Sequence, residues 1–287
     1  MLRWPWSSRS SKLRGPDLRT GSIFFVGTAT TLIRYGGFTI LTDPNFLHSG
    51  DHVHLGYGLR SKRLTDPAIE IEDLPGLDLV VLSHMHEDHF DRVAEQKLDR
   101  TVPIVTTKDA AASLKRKGFR GAEGLKTWQA RTFEKRGVRL RITAMPGRHG
   151  PGVMARLLPP VMGSMLDFET VEGGHLLRMY ITGDTLVYRQ LKQIPKRFPG
   201  VDVALLHLGG TRVVGMLVTM DGKQGVEALR IIAPSVAIPI HYNDYTVFKS
   251  PLEDFQRELR AAGLEDRVRY LEHGETYKFE IPDGRAE

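Results

Sequence analysis

The segment 77–90, LDLVVLSHMHEDHF, runs an unbroken apolar stretch straight into three histidines and two acidic residues. A short continuous apolar run reads as a buried strand, so this polar cluster stands where an interior strand leaves the core. The whole chain has only eleven histidines, which makes three in six positions a strong concentration. His84, His86, Asp88 and His89 are all ligand types. In extended backbone His84 and His86 point the same way, while Asp88 and His89 turn toward a second point as the chain enters a helix. One loop can thus serve two cations, and imidazole with carboxylate suits zinc, iron or manganese.

A two-metal site needs more ligands than this loop supplies, and other strand ends offer them. Asp43 closes FTILT, His149 follows ITAMPGR, Asp184 closes MYITG and His241 closes VAIPI. Each lies where a strand-like run gives way to a loop, the place where α/β folds build their sites.

The order of elements sets the fold class. SIFFVG (22–27), TTLIRYGG (30–37) and FTILTD (38–43) form a meander, the last two runs split by the turn pair Gly36-Gly37. Strands are expected at 77–84, 103–107, 138–146, 175–184, 201–210 and 235–244. Helices are expected in EDHFDRVAEQKL, in DAAASLKRKGF up to Gly118, at 188–197, at 222–233 behind an Asp221 cap and at 251–262. A meander followed by alternating strands and helices means α/β with a mixed sheet. Two stretches, 45–67 and 150–174, fit neither period and read as long functional loops. Nothing splits the chain, so residues 1–20 read as a basic arm and 21–287 as a single domain.

Composition narrows the chemistry. With no cysteine in 287 residues, thiolate metal sites, disulfides and cysteine nucleophiles are excluded, and a reducing, cytoplasmic setting is expected. The net charge of +6 is mostly local: Arg3, Arg9, Lys12, Arg14 and Arg19 against Asp17 leave +4 within residues 1–19. The rest is nearly neutral, which argues against nucleic acid as a partner. No segment approaches a membrane span or a signal peptide. Trp4 and Trp6 among the arginines give the arm a possible peripheral membrane contact, with a self-docked arm as the competing reading.

The ordered motifs Asp43, H-x-H-x-D-H at 84–89, His149, Asp184 and His241 resemble the metallo-β-lactamase superfamily over residues 22–245. The resemblance implies a four-layer αββα sandwich with two mixed β-sheets and a dinuclear centre at one edge. It further implies His84, His86 and His149 on one metal, Asp88, His89 and His241 on the other, Asp184 bridging both, and Asp43 orienting a ligand from behind. LTDPNF, GLRSKRLTDPAIEIEDLPGLDLVVLSHMHEDHFD and GDT with Tyr188 shortly after look like the branch of the N-acylphosphatidylethanolamine-hydrolysing phospholipase D and the L-ascorbate-6-phosphate lactonases. The segment HGPGVMARLLPPVMGS departs from both.

Two divalent ions, zinc first with manganese or iron as alternatives, make hydroxide available at neutral pH and polarise the bond under attack. The expected function is therefore hydrolysis of an ester-like bond in a small or lipid-like substrate by a metal-bridging hydroxide, a phosphodiester ahead of a lactone. Asp88 and Asp184 are the expected catalytic carboxylates. The rival from another class is a non-catalytic metal-binding or membrane-docking scaffold, and a nuclease is disfavoured by the neutral body. His207 at a strand end is a further catalytic candidate, against a structural histidine. Tyr242, Asn243, Arg60 and Arg63 are weaker substrate-binding candidates, against bracing or solvated roles. His48, His52 and His54 read as solvated. Met154, Met162 and Met165 with Leu157, Leu158, Pro159 and Pro160 suit an apolar pocket wall, or the ordinary packing of a long loop.

Overall fold

The computed structural model describes residues 16–56, 58–281 and 285. Most of the expected basic arm, with Trp4 and Trp6, lies outside the described residues.

Two mixed sheets face each other. The first has seven strands in the order 276–280, 20–27, 30–35, 38–42, 79–81, 104–107, 122–125, and the second has six in the order 236–240, 203–207, 175–181, 162–170, 138–146, 130–135. Each combines an antiparallel meander with a parallel part. The first three pairings of the seven-stranded sheet are antiparallel and the last three parallel. In the six-stranded sheet 236–240, 203–207 and 175–181 run parallel and the remaining pairings are antiparallel. Gly36 and Gly37, at φ 58° and 82°, make the expected hairpin turn, whose geometry requires positive φ at both positions.

Strand alternation explains the layers. Ile23, Ile33, Ile40, Leu79 and Val81 point into the core between the sheets, against Leu140, Ile142, Leu166, Leu205 and Ile238. Their neighbours Leu32, Leu41, Val80 and Leu82 point outward and are covered by the helices Arg92–Lys97 and Lys108–Arg116 through Ala94, Ala110, Ala111 and Leu114. On the far face the helices Gly222–Ile232 and Leu252–Ala262 cover Ala204, Leu206 and Ala237 through Val226, Leu229, Phe255 and Leu259. Apolar residues on both faces of the central strands are thus a consequence of the αββα layering.

The segment 150–174 departs from its expected loop. Met162–Thr170 is a buried strand, paired on both sides with 138–146 and 175–181. Its apolar pattern is masked by Gly163, Ser164 and Asp167, and the Asp167 charge is met by Arg178 Nε at 2.5 Å from the neighbouring strand. Met162 and Met165 are accordingly core residues. Within 45–67, His52–His54 and Arg60–Lys62 form a short hairpin. The helical stretch expected at 188–197 is a 3-10 helix, Arg189–Gln193, continuing into a single turn, Ile194–Arg197. No helix among the described residues is long and apolar enough to cross a membrane.

Candidate metal centre

The strands 38–42, 79–81, 138–146, 175–181, 203–207 and 236–240 all end at one edge of the sandwich, and Asp43, His84, His149, Asp184, His207 and His241 follow or close them. Turning side chains inward there takes unusual backbone. Asp43 and His241 hold positive φ values of 33° and 63°, conformations that cost a non-glycine residue free energy and are common at functional sites. The His241 N–H is fixed by the Thr28 carbonyl at 2.6 Å. Before Asp184, Gly183 sits at φ 62° where a Cβ would lie 2.7 Å from the Met162 carbonyl oxygen, so the close approach requires glycine.

Three groups of potential donor atoms form, each with its atoms within 4.8 Å of one another: His84, His86 and His149; Asp88, His89, Asp184 and His241; and Asp43, His89 and His207. In the first, His86 Nδ1 is 2.9 Å from His84 Nε2 and 3.4 Å from His149 Nε2. In the second, Asp184 Oδ1 is 3.4 Å from His89 Nε2, and Asp88 Oδ2 is 3.4 Å from His241 Nε2. Donors that share an ion at roughly 2.0–2.2 Å in tetrahedral geometry lie about 3.4 Å apart. All nine side chains are buried.

The hydrogen bonds around the centre fix which atoms face inward. His149 Nδ1 donates to the Val218 carbonyl at 3.0 Å and His241 Nδ1 to the Leu208 carbonyl at 3.1 Å, leaving each Nε2 as an acceptor. Asp43 Oδ2 holds His89 Nδ1 at 3.0 Å and also lies 3.3 Å from His207 Nε2, while Asp43 Oδ1 accepts the Ser83 N–H at 2.6 Å. Thr219 Oγ1 donates to Asp184 Oδ2 at 2.9 Å. What remains is a set of buried polar atoms without a hydrogen bond: His86 Nε2, Asp88 Oδ1, His89 Nε2, Asp184 Oδ1 and His241 Nε2. Five such atoms on one cluster of side chains, four of them in the Asp88, His89, Asp184 and His241 group, carry a large desolvation cost unless something binds them. A nitrogen and oxygen donor set of this kind fits divalent cations.

Electrostatics divide the centre in two. Burial pushes the imidazoles of His84, His86 and His149 down, His86 to about 4, with neighbouring imidazoles adding to the effect on His84 and His86. Burial also opposes charge on His89 and His241, but Asp184 and Asp88 outweigh it and both are raised. Burial acts on the carboxylates in the opposite sense, yet the His89 and His241 charges hold Asp88 and Asp184 below the usual range. At Asp43 burial is outweighed by His89 and by hydrogen bonds from His207 and His89, which hold it at about 2. Neutral imidazoles therefore gather at one position and carboxylates with imidazoles at the other.

The other sequence candidates fall elsewhere. His207 is fully buried behind Asp43, its Nδ1 3.2 Å from Thr182 Oγ1. Arg63 is fully buried as well: Nη1 donates to Thr28 Oγ1 and Asn45 Oδ1 and Nε to the Thr65 carbonyl. Asn45 in turn donates to the Glu87 carbonyl at 2.9 Å, so this guanidinium braces the histidine loop from within and has no exposed face for substrate. Arg60 is exposed on the short hairpin. Asn243 Oδ1 accepts the Leu252 N–H at the start of a helix, and the Tyr242 hydroxyl donates to the Leu271 carbonyl. His48 lies against Asp66 and Glu70 on the surface, while His52 and His54 are exposed.

Ser83, Thr219, Thr182 and the Val218 and Leu208 carbonyls have no counterpart in the sequence reading. Ser83 adjoins the histidine motif and was legible by position; a backbone carbonyl leaves no sequence signal. Beside His86 opens a groove of about 710 Å³ lined by His54, Leu55, Gly56, Met85, Asp109 and residues 155–160. Of the segment read from sequence as a pocket wall or as ordinary packing, Leu157, Leu158, Pro159 and Pro160 line it, whereas Met154, Met162 and Met165 do not.

Two facing mixed sheets, helices outside both and a histidine–carboxylate centre at one edge define the metallo-β-lactamase fold. A Beta-lactamase superfamily domain matches residues 39–242, and the chain belongs to that superfamily. It is 26% identical over 216 residues to the UPF0173 metal-dependent hydrolase NEQ378 of Nanoarchaeum equitans, covering 72% of this chain and 87% of that one. It is 27% identical over 256 residues to the UPF0173 metal-dependent hydrolase MK1542 of Methanopyrus kandleri, covering 89% and 99%. Among solved structures, Igni18, a metallo hydrolase of Ignicoccus hospitalis, shares 25% identity at a TM-score of 0.67, covering 92% of this chain and 100% of that one. An isothiocyanate hydrolase from Delia radicum gut bacteria shares the fold at a TM-score of 0.74 and 22% identity, covering 90% and 99%.

Proposed function

We propose that the chain is a metal-dependent hydrolase with two divalent cations, zinc first with manganese or iron as alternatives. His84, His86 and His149 would hold one cation and Asp88, His89 and His241 the other, with Asp184 the carboxylate they would share. The observation that carries this reading is the set of five buried donor atoms left without hydrogen bonds at one sheet edge. Such a pair of cations lowers the pKa of water and polarises the bond to be cleaved.

The chain's own residues do the positioning. Val218 and Leu208 set the tautomers of His149 and His241, Asp43 orients His89 and Thr219 aims one Asp184 oxygen inward. His207 acts on Asp43 rather than on substrate. Ser83 Oγ is buried 3.0 and 3.2 Å from His84 Nδ1 and His89 Nδ1; with each Nε2 given to a cation, each Nδ1 would carry its proton and donate to Oγ, so neither imidazole could serve as the base a serine nucleophile needs, which favours water as the attacking group. The bond is ester-like, a phosphodiester ahead of a lactone, since paired cations suit an in-line displacement on phosphorus. Metal analysis together with turnover of bis-p-nitrophenyl phosphate tests the reading. Close to two ions per chain and turnover abolished by a chelator are expected; turnover that survives complete metal removal overturns it.

A further inference from the structure

We propose that Thr182 and His207 are positioning residues for the cation position of Asp88, His89 and His241, which they reach through a directed chain of hydrogen bonds ending on His89. The donor group Asp43, His89 and His207 is then this relay and takes no third cation. The inference rests on the two-cation reading above.

The direction follows from where the protons can go. The Thr182 hydroxyl is fully buried and accepts the His207 backbone N–H at 2.9 Å. Among the described residues its one other hydrogen-bonding neighbour is His207 Nδ1, at 3.2 Å. A buried hydroxyl proton without an acceptor is costly, so the hydroxyl donates to Nδ1 and the His207 ring proton sits on Nε2. A doubly protonated ring would leave the hydroxyl with no acceptor at all. Nε2 therefore donates to Asp43 Oδ2 at 3.3 Å, the oxygen that also takes the His89 Nδ1 proton at 3.0 Å. Both nitrogens facing Asp43 carry protons, whereas an imidazole binds a metal only through an unprotonated nitrogen. The remaining His89 nitrogen, Nε2, has no hydrogen bond and lies 3.4 Å from Asp184 Oδ1 and 3.9 Å from Asp88 Oδ2. No atom of Asp43 or His207 is among the buried atoms left without a partner.

The fold supplies the ends of this chain. Thr182 and His207 stand at the ends of the neighbouring parallel strands 175–181 and 203–207, and Asp43 follows 38–42 in the facing sheet. The relay thus ties the two sheets together directly behind His89.

The test reads histidine tautomers by proton–nitrogen NMR correlation spectra of the nitrogen-labelled full chain, with zinc and after chelator treatment. His207 is expected as the Nε2–H tautomer in both states, and His89 as the Nδ1–H tautomer with zinc bound, at close to two ions per chain. Thr182→Val should convert His207 to a mixture of tautomers, and Thr182→Ser should not. His207→Leu should weaken zinc binding by about 10–100-fold at one position and leave the three-histidine position little changed. Most of that loss should return in His207→Gln, whose amide can donate to Asp43. His207 found as the Nδ1–H tautomer, or a third ion that His207→Leu abolishes, overturns the relay. So does a Thr182→Val protein with the wild-type tautomer, or a His207→Gln protein that binds zinc as weakly as His207→Leu. The stated His207 tautomer in protein that binds fewer than two ions supports the chain of hydrogen bonds and overturns the two-cation reading.

Discussion

Asp43 Oδ2 lies 3.0 Å from His89 Nδ1, with both side chains buried, and the same oxygen lies 3.3 Å from His207 Nε2. One carboxylate thus fixes the tautomer of an imidazole in the centre while a second imidazole, itself held by Thr182, keeps the carboxylate in place. Asp43 accepts a positive φ of 33° to do so. Asp43→Asn keeps the shape but can offer an amide N–H to His89, so His89 loses its charged partner and its fixed orientation. The expected outcome is a fall of about 10–100-fold in affinity at the position shared by Asp88, His89 and His241, measured by chelator competition, with the three-histidine position little changed. Equal losses at both positions contradict this role.

Acid should weaken the metal-free protein in a defined window. His86 is held at about 4 by burial, and His84 is lowered for the same cause. As pH falls from about 6.5, the unfolded chain takes up protons that the folded chain refuses, so stability present above about 6.5 is lost toward 4. His89 and His241 are raised, and their contribution has the opposite sign: it is complete below about 6.5 and is lost as pH rises through their folded values. Below about 6.5, then, they no longer offset the loss. Thermal unfolding of chelator-treated protein should show a falling Tm from pH 6.5 to 4.5, and at saturating zinc a higher Tm that falls at least as steeply, because bound zinc keeps its imidazole ligands unprotonated while the unfolded chain takes up protons. A flat Tm over that interval refutes the account.

The cluster of side chains was largely legible because its candidate ligands stand at strand ends in a fixed order, four of them within residues 84–89. The sandwich was legible from alternation, with Ile33 and Ile40 on one face and Leu32 and Leu41 on the other. Met162–Thr170 was not, because Asp167 finds its countercharge on a different strand, and that pairing exists only once the sheet has formed. Arg63 was misleading for a related reason: Arg60, Lys62 and Arg63 look alike in sequence, yet Arg60 and Lys62 are exposed on the hairpin and Arg63 is fully buried.

Arg63→Met should therefore act on stability and on the centre together. It leaves Thr28 Oγ1 and the Thr65 carbonyl without their donor and Asn45 Oδ1 with the Tyr245 hydroxyl at 3.0 Å alone, at a cost of about 3 kcal/mol. Thr28 and Asn45 also hold His241 and the Glu87 backbone, so zinc affinity should fall at both positions. Arg63→Lys keeps the charge but a single ammonium does not span these acceptors, and it should recover only part of the Tm. Calorimetric unfolding with zinc titration checks both; unchanged zinc affinity in Arg63→Met removes Arg63 from the support of the centre.

Asp184 gives the most demanding test of the two-cation reading. Thr219 occupies Oδ2, and Oδ1 faces inward, 3.4 Å from His89 Nε2 and 3.5 Å from His241 Nδ1. A carboxylate between two cations offsets their repulsion and holds their spacing, so removing it does more than delete a ligand. The position with fewer imidazoles should empty first. Asp184→Ala is expected to retain at most about one ion per chain and to lose nearly all turnover, because a single cation forfeits the shared clamp. Asp184→Asn should be intermediate in metal content and still slow, since the amide keeps the shape without the charge. Thr219→Val leaves the carboxylate but frees its orientation, and should reduce turnover less than either substitution at 184. The measurements are metal content after dialysis and turnover of bis-p-nitrophenyl phosphate at saturating zinc. If Asp184→Ala kept both ions and more than about a tenth of wild-type turnover, Asp184 would not lie between two cooperating cations and the dinuclear reading would fall with it.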